Sequence, residues 1–457
     1  MSGIGAGCGG RCEANEDSTA RRAHPAPARP ASCRIVAPDQ PRADALAAAA
    51  PGDALCLAPG VHRGPVVIPA GVTVWGPREA VVAADAGAGH IVSAHGAGAR
   101  IAGFTVDGQG GRYDRFDAAV HVSGEDVVVE GLTIVRPVYG ILVEKARRAV
   151  VRQNRVEGGR EVAMGMRGDT IRLWETHDSV IADNDVSDGR DMVVWYSTGN
   201  RITGNRVRGG RYGTHFMYSH DNVVEGNSFR GGVVAVFVMY SRRVTLRDNL
   251  MADVGGSGGM GVGLKDSSDV TLSGNLLLRA NVGLYIDQTP GDVGGTLVVE
   301  GNVLRQCESA ILLHTTPHGT DIRGNDFADN VELFRASSGI DPLRARWRDN
   351  FYDTYAGYDL DGDERGDMPF EHQSASEELI AKHPDVAFFR GSPVLGMLDA
   401  GSRLLPLSRP RVLVTDPSPR MTALDLGPWI ARFDDGTTVA RVRSVGAHGG
   451  SYEGEAH

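Results

Sequence analysis

Methionine, histidine and tryptophan recur at regular intervals in the middle of this chain. His215 and Met217 lie two residues apart, and Met239 follows Met217 after 22 residues. Thioether sulfur and imidazole nitrogen together suit Cu(I), which is a soft metal ion. Because no pair of cysteines lies near these residues in the sequence, we expect weak, exposed ligation. Such ligation suits the transfer of copper better than its permanent storage.

Further candidate ligands flank this group. His220 comes three residues after Met217, and two long loops, residues 160–170 and 255–261, contain methionines of their own. Loops often carry function while the elements around them fix their position. We assign no catalytic residue and no organic cofactor. The predicted copper ligands are Met217, Met239, His215, His220, Met164, Met166 and Met260.

Asparagine marks the elements that must position these residues. It recurs with gaps of 30, 21, 22, 22, 26, 27 and 23 residues, at Asn154, Asn184, Asn205, Asn227, Asn249, Asn275, Asn302 and Asn325. A repeat of this length, in a segment rich in Val, Ile and Gly, is typical of one supersecondary unit stacked on copies of itself. The sequence therefore predicts an all-β solenoid. Each Asn is expected at a bend, where its side-chain amide bonds the next turn.

Alignment of the turns on these asparagines predicts which side chains face inward. The positions 13 and 11 residues before each Asn are mostly apolar, as expected for the inward face of a strand. The positions 12 and 10 residues before it should then face solvent, yet many of them are also apolar. An outward apolar stripe on turns about 4.8 Å apart typically contacts a partner. The predicted partner surface comprises Trp174, Trp195, Phe237 and His177. In the alternative, the register slips by one residue and these side chains fill the interior.

An enzymatic alternative comes from the fold class. β-Solenoids host polysaccharide lyases, hydrolases and epimerases, which use clustered acidic and basic side chains on one outer face. Small groups of this kind are Asp114, Asp117 and His121, Glu144 with Lys145, and Glu175 near His177. Each is more typical of a solvated face, and the chain lacks the Asp-Pro-His signature of mannuronan epimerases. A carbohydrate-active lyase or uronate epimerase nevertheless remains the alternative function.

A second kind of metal site is suggested by the acidic segment 359–367. Asp359, Asp361 and Asp363 alternate as in a calcium loop, but Glu364 replaces the turn glycine and Phe370 replaces the bidentate acid. These departures exclude an EF-hand. A hydrogen-bonded turn is favoured, and calcium binding is the alternative.

Composition excludes some partners. The net charge is −10 and the basic residues are scattered, whereas a nucleic-acid site needs a basic stripe, so we predict no nucleic-acid partner. The five cysteines predict no particular disulfide pairing. Residues 1–30 contain no apolar run long enough for a signal-peptide core or a membrane span, so these residues alone do not predict export.

The predicted domain organisation follows the repeat. A disordered leader (1–33) precedes an N-terminal cap with the first turns (34–110), and regular turns follow (111–351). A C-terminal cap contains the acidic loop and an amphipathic helix (352–421), and a tail ends the chain (422–457). Helices are predicted at residues 45–50, 374–382 and 392–405.

Several segments resemble the nitrous-oxide reductase maturation protein family NosD. They are Asp169-Thr-Ile-Arg-Leu-Trp-Glu-Thr-His-Asp178, Arg211-Tyr-Gly-Thr-His-Phe-Met-Tyr-Ser-His-Asp-Asn222, Val238-Met-Tyr-Ser-Arg-Arg243, Gly263-Leu-Lys-Asp266, Tyr358-Asp-Leu-Asp-Gly-Asp363 and Asp416-Pro-Ser-Pro-Arg-Met421. The likeness covers residues 34–421, and its most specific part is His-Phe-Met-Tyr-Ser-His.

This resemblance implies a periplasmic, right-handed, single-stranded parallel β-helix without enzymatic activity. It implies an accessory role in denitrification, delivering copper, sulfur or both for the copper-sulfide centre of nitrous-oxide reductase. The implied partners are an ABC transporter permease, a copper chaperone lipoprotein and the reductase, with membrane contact only through the transporter. The family supplies no ligand set that maps onto this chain, so the copper ligands rest on the pattern above.

Overall fold

A parallel β-helix forms the body of the protein. The computed structural model describes residues 24–38, 46–256, 258–337, 339–390, 392–404 and 410–433. Within them, three sheets of 14, 12 and 13 strands run along the solenoid, and each full turn contributes one strand to each sheet. Every strand in these sheets pairs in parallel with the equivalent strand of the next turn. The predicted all-β solenoid is confirmed.

The strand bounds define the three faces. The first sheet comprises Arg34–Val36, Ala54–Leu57, Thr73–Trp75, Arg100–Ala102, Val128–Glu130, Val150–Arg152, Val180–Ala182, Arg201–Thr203, Val223–Glu225, Thr245–Arg247, Val270–Ser273, Leu297–Glu300, Thr320–Arg323 and Arg346–Arg348. The second sheet comprises Val66–Ile68, Val92–His95, Ala118–Glu125, Tyr139–Arg147, Ile171–Trp174, Asp191–Trp195, Tyr212–Met217, Val234–Met239, Met260–Lys265, Val282–Asp287, Ser309–Leu313 and Glu332–Ala336. The third sheet comprises Gly60–Arg63, Ala80–Ala83, Thr105–Asp107, Thr133–Val135, Arg155–Glu157, Asp185–Ser187, Arg206–Arg208, Ser228–Arg230, Leu250–Ala252, Leu276–Leu278, Val303–Arg305, Asp326–Ala328 and Phe351–Tyr352.

The interior is filled by the two apolar columns expected from the sequence. In the second sheet they are fully buried, as Ile171, Met192, Thr214, Val236 and Val262 in one column and Leu173, Val194, Phe216, Val238 and Leu264 in the other. Because successive side chains on a strand point to opposite faces, this burial fixes the direction of the residues between them. The slipped register is therefore wrong for this sheet.

A ladder of buried asparagines joins the turns at one bend. Asn227 accepts both the backbone N–H and the amide N–H of Asn205 at 2.9 Å, and its own amide donates to Asn249 Oδ1 at 3.0 Å and to the Ile202 carbonyl at 2.8 Å. The same pattern runs from Asn154 to Asn350. The residue before Asn227 is Gly226, with φ 63°, a conformation that glycine adopts without strain. The asparagines are thus structural, as predicted.

The N-terminal segment is joined to the solenoid by a disulfide and a hydrogen bond that the sequence did not predict. Cys33, which directly precedes the first strand of the first sheet, forms a disulfide with Cys56 in the second strand, a pairing that sequence reasoning did not predict. The Trp75 indole N–H donates to the Pro27 carbonyl at 2.9 Å, so residues within the expected leader contact the solenoid. Leu46 and Ala47 form a helical turn, while residues 1–23 and 45 lie outside the described residues.

The C-terminal cap consists of two helices and an antiparallel strand pair. Helix α1 (Ala375–Lys382) begins with Ser374 as its N-cap, and α2 (Pro393–Leu404) packs near it. Strands Phe370–Ser374 and Arg411–Asp416 pair antiparallel. Asp416 Oδ2 accepts the backbone N–H of Asn350 at 3.0 Å and its amide at 2.9 Å, and so ends the asparagine ladder.

The segment expected as a tail begins with a packed helix. Helix α3 (Gly427–Phe433) lies on the third sheet, where Phe433 joins a buried cluster with Leu250, Leu276 and Val303. The Trp429 indole N–H donates to the Gly274 carbonyl at 2.7 Å. The predicted tail therefore includes a packed segment, because α3 has an apolar side that the sheet buries. Residues 434–457 lie outside the described residues.

Among the described residues, no helix combines the length and the apolar character needed to cross a membrane.

Candidate metal and partner site

The predicted stripe lies on the outer face of the second sheet. Its row nearest the strand ends runs Glu144, Trp174, Trp195, Met217, Met239 and Lys265, each paired in register with the next. The neighbouring row runs His121, Leu142, Arg172, Val193, His215, Phe237 and Gly263. Paired strands bring Met217 and Met239 to within one strand spacing, about 4.8 Å between backbones.

His215 and Met239 are the predicted ligands that the structure brings into direct contact. His215 Nε2 lies 3.3 Å from Met239 Sδ. This separation fits two donors on one Cu(I) ion, since metal–nitrogen and metal–sulfur bonds of about 2.0 and 2.3 Å leave the donors about 3.5 Å apart. The pair has the chemistry of a mixed imidazole–thioether site.

A hydrogen bond sets the present tautomer of His215. The Trp195 indole N–H lies 3.4 Å from His215 Nδ1 and can only donate. Nδ1 therefore accepts, and in the neutral ring the proton sits on Nε2, facing the Met239 sulfur. Copper binding at Nε2 requires this proton to leave and the long Trp195 bond to break.

Burial keeps the His215 ring neutral. The His215 side chain is buried, and this loss of solvent is the main cause that lowers its pKa to about 4. The negative charge of Asp191 raises the pKa, and the positive charge of Arg211 lowers it. Tyr212 and Phe237 cover the ring, with centroids 4.8 and 6.0 Å from it. The ring is thus uncharged at neutral pH, which is the state that binds a metal.

Arg172 forms the centre of an aromatic cage in the same row. Its guanidinium carbon lies 5.0 Å from the rings of both Trp174 and Trp195, and 5.1 Å from that of Phe116. Its Nη1 donates to Asp169 at 3.1 Å. Although Arg172 faces outward, only 8% of it is exposed. The cage holds the two tryptophans of the predicted partner surface in fixed positions.

Three stacked tyrosines border the stripe. Tyr196, Tyr218 and Tyr240 follow the strand ends on successive turns, with ring centroids 5.5 and 5.0 Å apart. Their φ angles are 51°, 50° and 49°, in a region that a bulky side chain adopts at a cost of about 1–2 kcal/mol. Tyr196 and Tyr218 are 41% and 44% exposed. Strained aromatic residues that stay exposed are typical of a binding surface.

The remaining predicted residues lie around this centre. Met260 begins its strand, and its sulfur lies on the outer face near Gly263 and the Phe237 ring. Met164 and Met166 lie in a short helical turn that precedes the strand Ile171–Trp174, whereas Met217 and Met239 end their strands.

The two turn histidines use their Nδ1 atoms for hydrogen bonds. His177 Nδ1 lies 2.8 Å from Thr198 Oγ1, and His220 Nδ1 accepts the backbone N–H of Arg242 at 3.1 Å. Burial and the positive charges of Arg242 and Arg243 lower the pKa of His220. Both rings are thus anchored at the corner that follows the stripe.

The acidic loop forms a turn stabilised by its own carboxylates. Asp359 accepts the backbone N–H groups of Gly362 at 2.7 Å and Glu364 at 2.9 Å, and Asp363 accepts that of Arg365 at 2.8 Å. One oxygen from each of Asp359, Asp361 and Asp363 lies within 4.8 Å of the others. The hydrogen bonds account for the alternating aspartates, and calcium binding there stays a prediction.

A histidine cluster on the same face was missed by sequence reasoning. The rings of His90 and His95 lie 4.3 and 5.1 Å from that of His121, measured between centroids, and His121 Nε2 lies 3.3 Å from Glu144 Oε2. His121 and Glu144 were noted separately, because their residues fall before the regular asparagine repeat. Extending the strand register from His215 back to His121 would have placed both histidines in one outward row and so brought His121 close to Glu144.

Comparison with known proteins agrees with this architecture. The family described as periplasmic copper-binding protein (NosD) matches residues 154–357. The Pseudomonas aeruginosa protein named "Probable ABC transporter binding protein NosD" is 29% identical over 356 residues, which cover 75% of this chain and 82% of that protein. The matched family segment contains His215, Met217 and Met239.

A solved structure shares the fold. The A-module of the Azotobacter vinelandii mannuronan C-5 epimerase AlgE6 superposes with a TM-score of 0.52 at 16% identity, covering 65% of this chain and 92% of that module. At this identity the likeness concerns the β-helix alone. The family match and the P. aeruginosa relative, taken with the motifs of the stripe, show that the chain is similar to NosD proteins.

Proposed function

We propose that this NosD-like protein is a non-enzymatic assembly factor whose outer stripe receives and releases Cu(I) in the periplasm. The observation that carries the proposal is the 3.3 Å contact between His215 Nε2 and Met239 Sδ, with Met217 paired beside Met239. In this role it helps to supply copper, sulfur or both to the copper-sulfide centre of nitrous-oxide reductase, together with a copper chaperone and an ABC transporter.

The chemistry of the stripe supports transfer rather than storage. Thioethers prefer Cu(I) over hard cations, and they bind without losing a proton, so release needs no protonation step. Met217 and Met239 are half-buried, which leaves one side of a bound ion open to an incoming ligand. A donor protein can therefore exchange ligands with the stripe one at a time.

Two further findings support the compartment and the transporter. The Cys33–Cys56 disulfide is typical of an oxidising compartment such as the periplasm, and the matching family is described as periplasmic. The P. aeruginosa relative is named for binding an ABC transporter. We propose the same compartment and the same class of partner for this chain.

A double substitution tests the metal ligands. In Met217→Ala with Met239→Ala, we expect Cu(I) affinity to fall by about tenfold or more, because each lost ligand removes roughly 1 kcal/mol or more of binding free energy. Affinity is measured by anaerobic competition with a Cu(I) chelator. The matched control is Met368→Ala with Met397→Ala, which removes two exposed methionines outside the stripe. Equal affinity in the stripe variant and the wild type would exclude these residues as ligands.

A second candidate function is a protein interface that needs no metal. The stacked tyrosines beside the stripe, of which Tyr196 and Tyr218 are exposed, favour it, since tyrosine, tryptophan and methionine are enriched in interface cores. Binding of the double variant to the reductase, chaperone and transporter in metal-free buffer separates the two functions. Loss of partner binding with unchanged Cu(I) affinity would show that the stripe is a protein interface and not a copper site. The carbohydrate-active alternative has only the fold in its favour.

A further inference from the structure

We propose that His121 and His95 form a second metal site, for a divalent transition-metal ion that prefers imidazole nitrogen, with Glu144 as a positioning residue. The site lies on the outer face of the second sheet, on the strands Val92–His95 and Ala118–Glu125. It lies four turns from His215 on the same face, and it does not depend on the function proposed for Met217, Met239 and His215.

The strongest observation is a buried nitrogen without a partner. His121 Nε2 lies 3.3 Å from Glu144 Oε2, so the neutral ring donates its proton to the carboxylate and leaves a lone pair on Nδ1. That Nδ1 is buried and has no hydrogen-bond partner among the described residues. An unpaired buried polar atom destabilises the folded state. A carboxylate that fixes the far nitrogen is the usual arrangement behind a metal-binding histidine.

His95 supplies the second nitrogen. Its Nδ1 lies 2.9 Å from Ser123 Oγ; when this nitrogen donates to the hydroxyl, Nε2 is left with its lone pair. The His95 and His121 centroids are 5.1 Å apart. Two imidazoles on one tetrahedral ion, with metal–nitrogen bonds of about 2.0–2.1 Å, place their centroids about 5 Å apart. The observed separation therefore already matches a shared ion, and the exposed His95 gives access from solvent.

His90 forms a wall of the site rather than a ligand. The backbone N–H of Ala118 donates to His90 Nδ1 at 3.1 Å, so the neutral ring carries its proton on Nε2 and offers no lone pair. Burial, and then the neighbouring His121, lower the pKa of both His90 and His95. In the described part of the chain, only the three aspartates of the acidic loop bring three ligand atoms within 4.8 Å of each other. The histidine site thus has two protein nitrogens, with other positions left for water or a partner's ligand.

The two sites repeat one geometry with different donors. His121 contacts Glu144 across one turn, in the same way that His215 contacts Met239, and both contacts measure 3.3 Å. Each histidine belongs to one row and each partner to the other. A thioether beside imidazole favours Cu(I), whereas imidazole nitrogens alone suit Cu²⁺ and Zn²⁺, with Cu²⁺ bound more tightly. The two sites therefore differ in the metal and the oxidation state that they accept.

Titration of the full, untagged chain with Cu²⁺ tests the proposal. We expect one bound ion whose electron paramagnetic resonance spectrum shows coupling to two imidazole nitrogens. His95→Ala and His121→Gln should each remove one nitrogen and weaken binding at least tenfold. Glu144→Gln should weaken it about 10–100-fold, as expected when a carboxylate behind a ligand is lost. The control is His318→Ala, an exposed histidine elsewhere, which should bind Cu²⁺ as the wild type does.

The outcomes separate a built site from stray surface binding. Unchanged affinity and nitrogen coupling in His95→Ala would overturn the proposal, and so would an equal loss in His318→Ala or no Cu²⁺ binding by the wild type at micromolar concentrations. Circular dichroism verifies the fold of each variant. If His121→Gln does not fold, His95→Ala decides, because its exposed side chain leaves the solenoid core intact.

Discussion

At the scale of single residues, the tautomer of His215 controls the proposed copper site. The sequence predicts His215 and Met239 as ligands, and the structure places them in contact. The Trp195 hydrogen bond to Nδ1 lies beyond sequence reasoning, because it joins side chains on different turns whose rotamers depend on the packing around Arg172. Trp195 was predicted as a partner residue, and the structure shows that it also hydrogen-bonds the ring of the proposed ligand His215.

Replacement of Trp195 by Phe tests this influence. The variant keeps an aromatic ring beside Arg172 but removes the indole N–H, so the ring proton of His215 can move to Nδ1 and free Nε2. We expect Cu(I) to bind about 3–10-fold more tightly, the equivalent of one released hydrogen bond of about 0.5–1.5 kcal/mol. The chelator competition used for the methionine variants measures it. A loss of affinity as large as that of the double methionine variant would contradict this role of the tautomer.

At the scale of elements, the corners after the second sheet hold residues that their backbone disfavours. Glycine, asparagine and aspartate are the usual residues at positive φ, and aspartate or glycine indeed precedes most of the ladder asparagines. The repeated Tyr-Ser pairs were noted in the sequence as part of the stripe, but the left-handed conformation of Tyr196, Tyr218 and Tyr240 was not predicted. The alternation of inward and outward side chains along a strand does not predict the backbone dihedral angles of the bend that follows the strand.

Tyr218→Asn should separate stability from binding at this corner. Asparagine relieves about 1 kcal/mol of backbone strain, which offsets the lost ring stacking of about 0.5–1.5 kcal/mol. We therefore expect the melting temperature to change by less than about 3 °C. Affinity for the transporter or the reductase should fall about tenfold in metal-free buffer, as measured by surface plasmon resonance. Gln306→Asn, at φ 57° on another corner, is the matched control; unchanged partner affinity in Tyr218→Asn would argue against a tyrosine interface.

At the scale of the whole molecule, the repeated turns and the first two C-terminal helices could be predicted, whereas the contacts that attach the two ends to the solenoid could not. The asparagine period fixes the register from Asn154 to Asn325, and the buried columns follow from it. The Cys33–Cys56 disulfide, the strand Arg411–Asp416 and the docking of α3 each occur once. A period carries no information about such single contacts between distant segments. The histidine cluster was missed for the same reason, since it lies on turns that precede the regular spacing.

Asp416 is the contact on which the C-terminal end depends most. In Asp416→Ala, the buried Asn350 amide and backbone N–H, and the Tyr352 hydroxyl, lose their acceptor, at about 1–3 kcal/mol for each orphaned group. We expect the last turns to open locally and to be cut early in limited proteolysis, with a lower melting temperature. Asp416→Asn keeps one acceptor oxygen and should remain near the wild type. Equal proteolysis of the alanine variant and the wild type would show that the ladder needs no terminal acceptor.

His121 and His215 lie in one row of the second sheet, so the distance between the two proposed sites depends on the number of turns between them. Four turns separate them, which amounts to about 19 Å at 4.8 Å per turn. Loss or gain of a whole turn would change that distance by one fixed step while both histidines keep facing the same way, whereas a shift of one residue would point one of them into the core. The distance between the two proposed sites can therefore change only in steps of one whole turn.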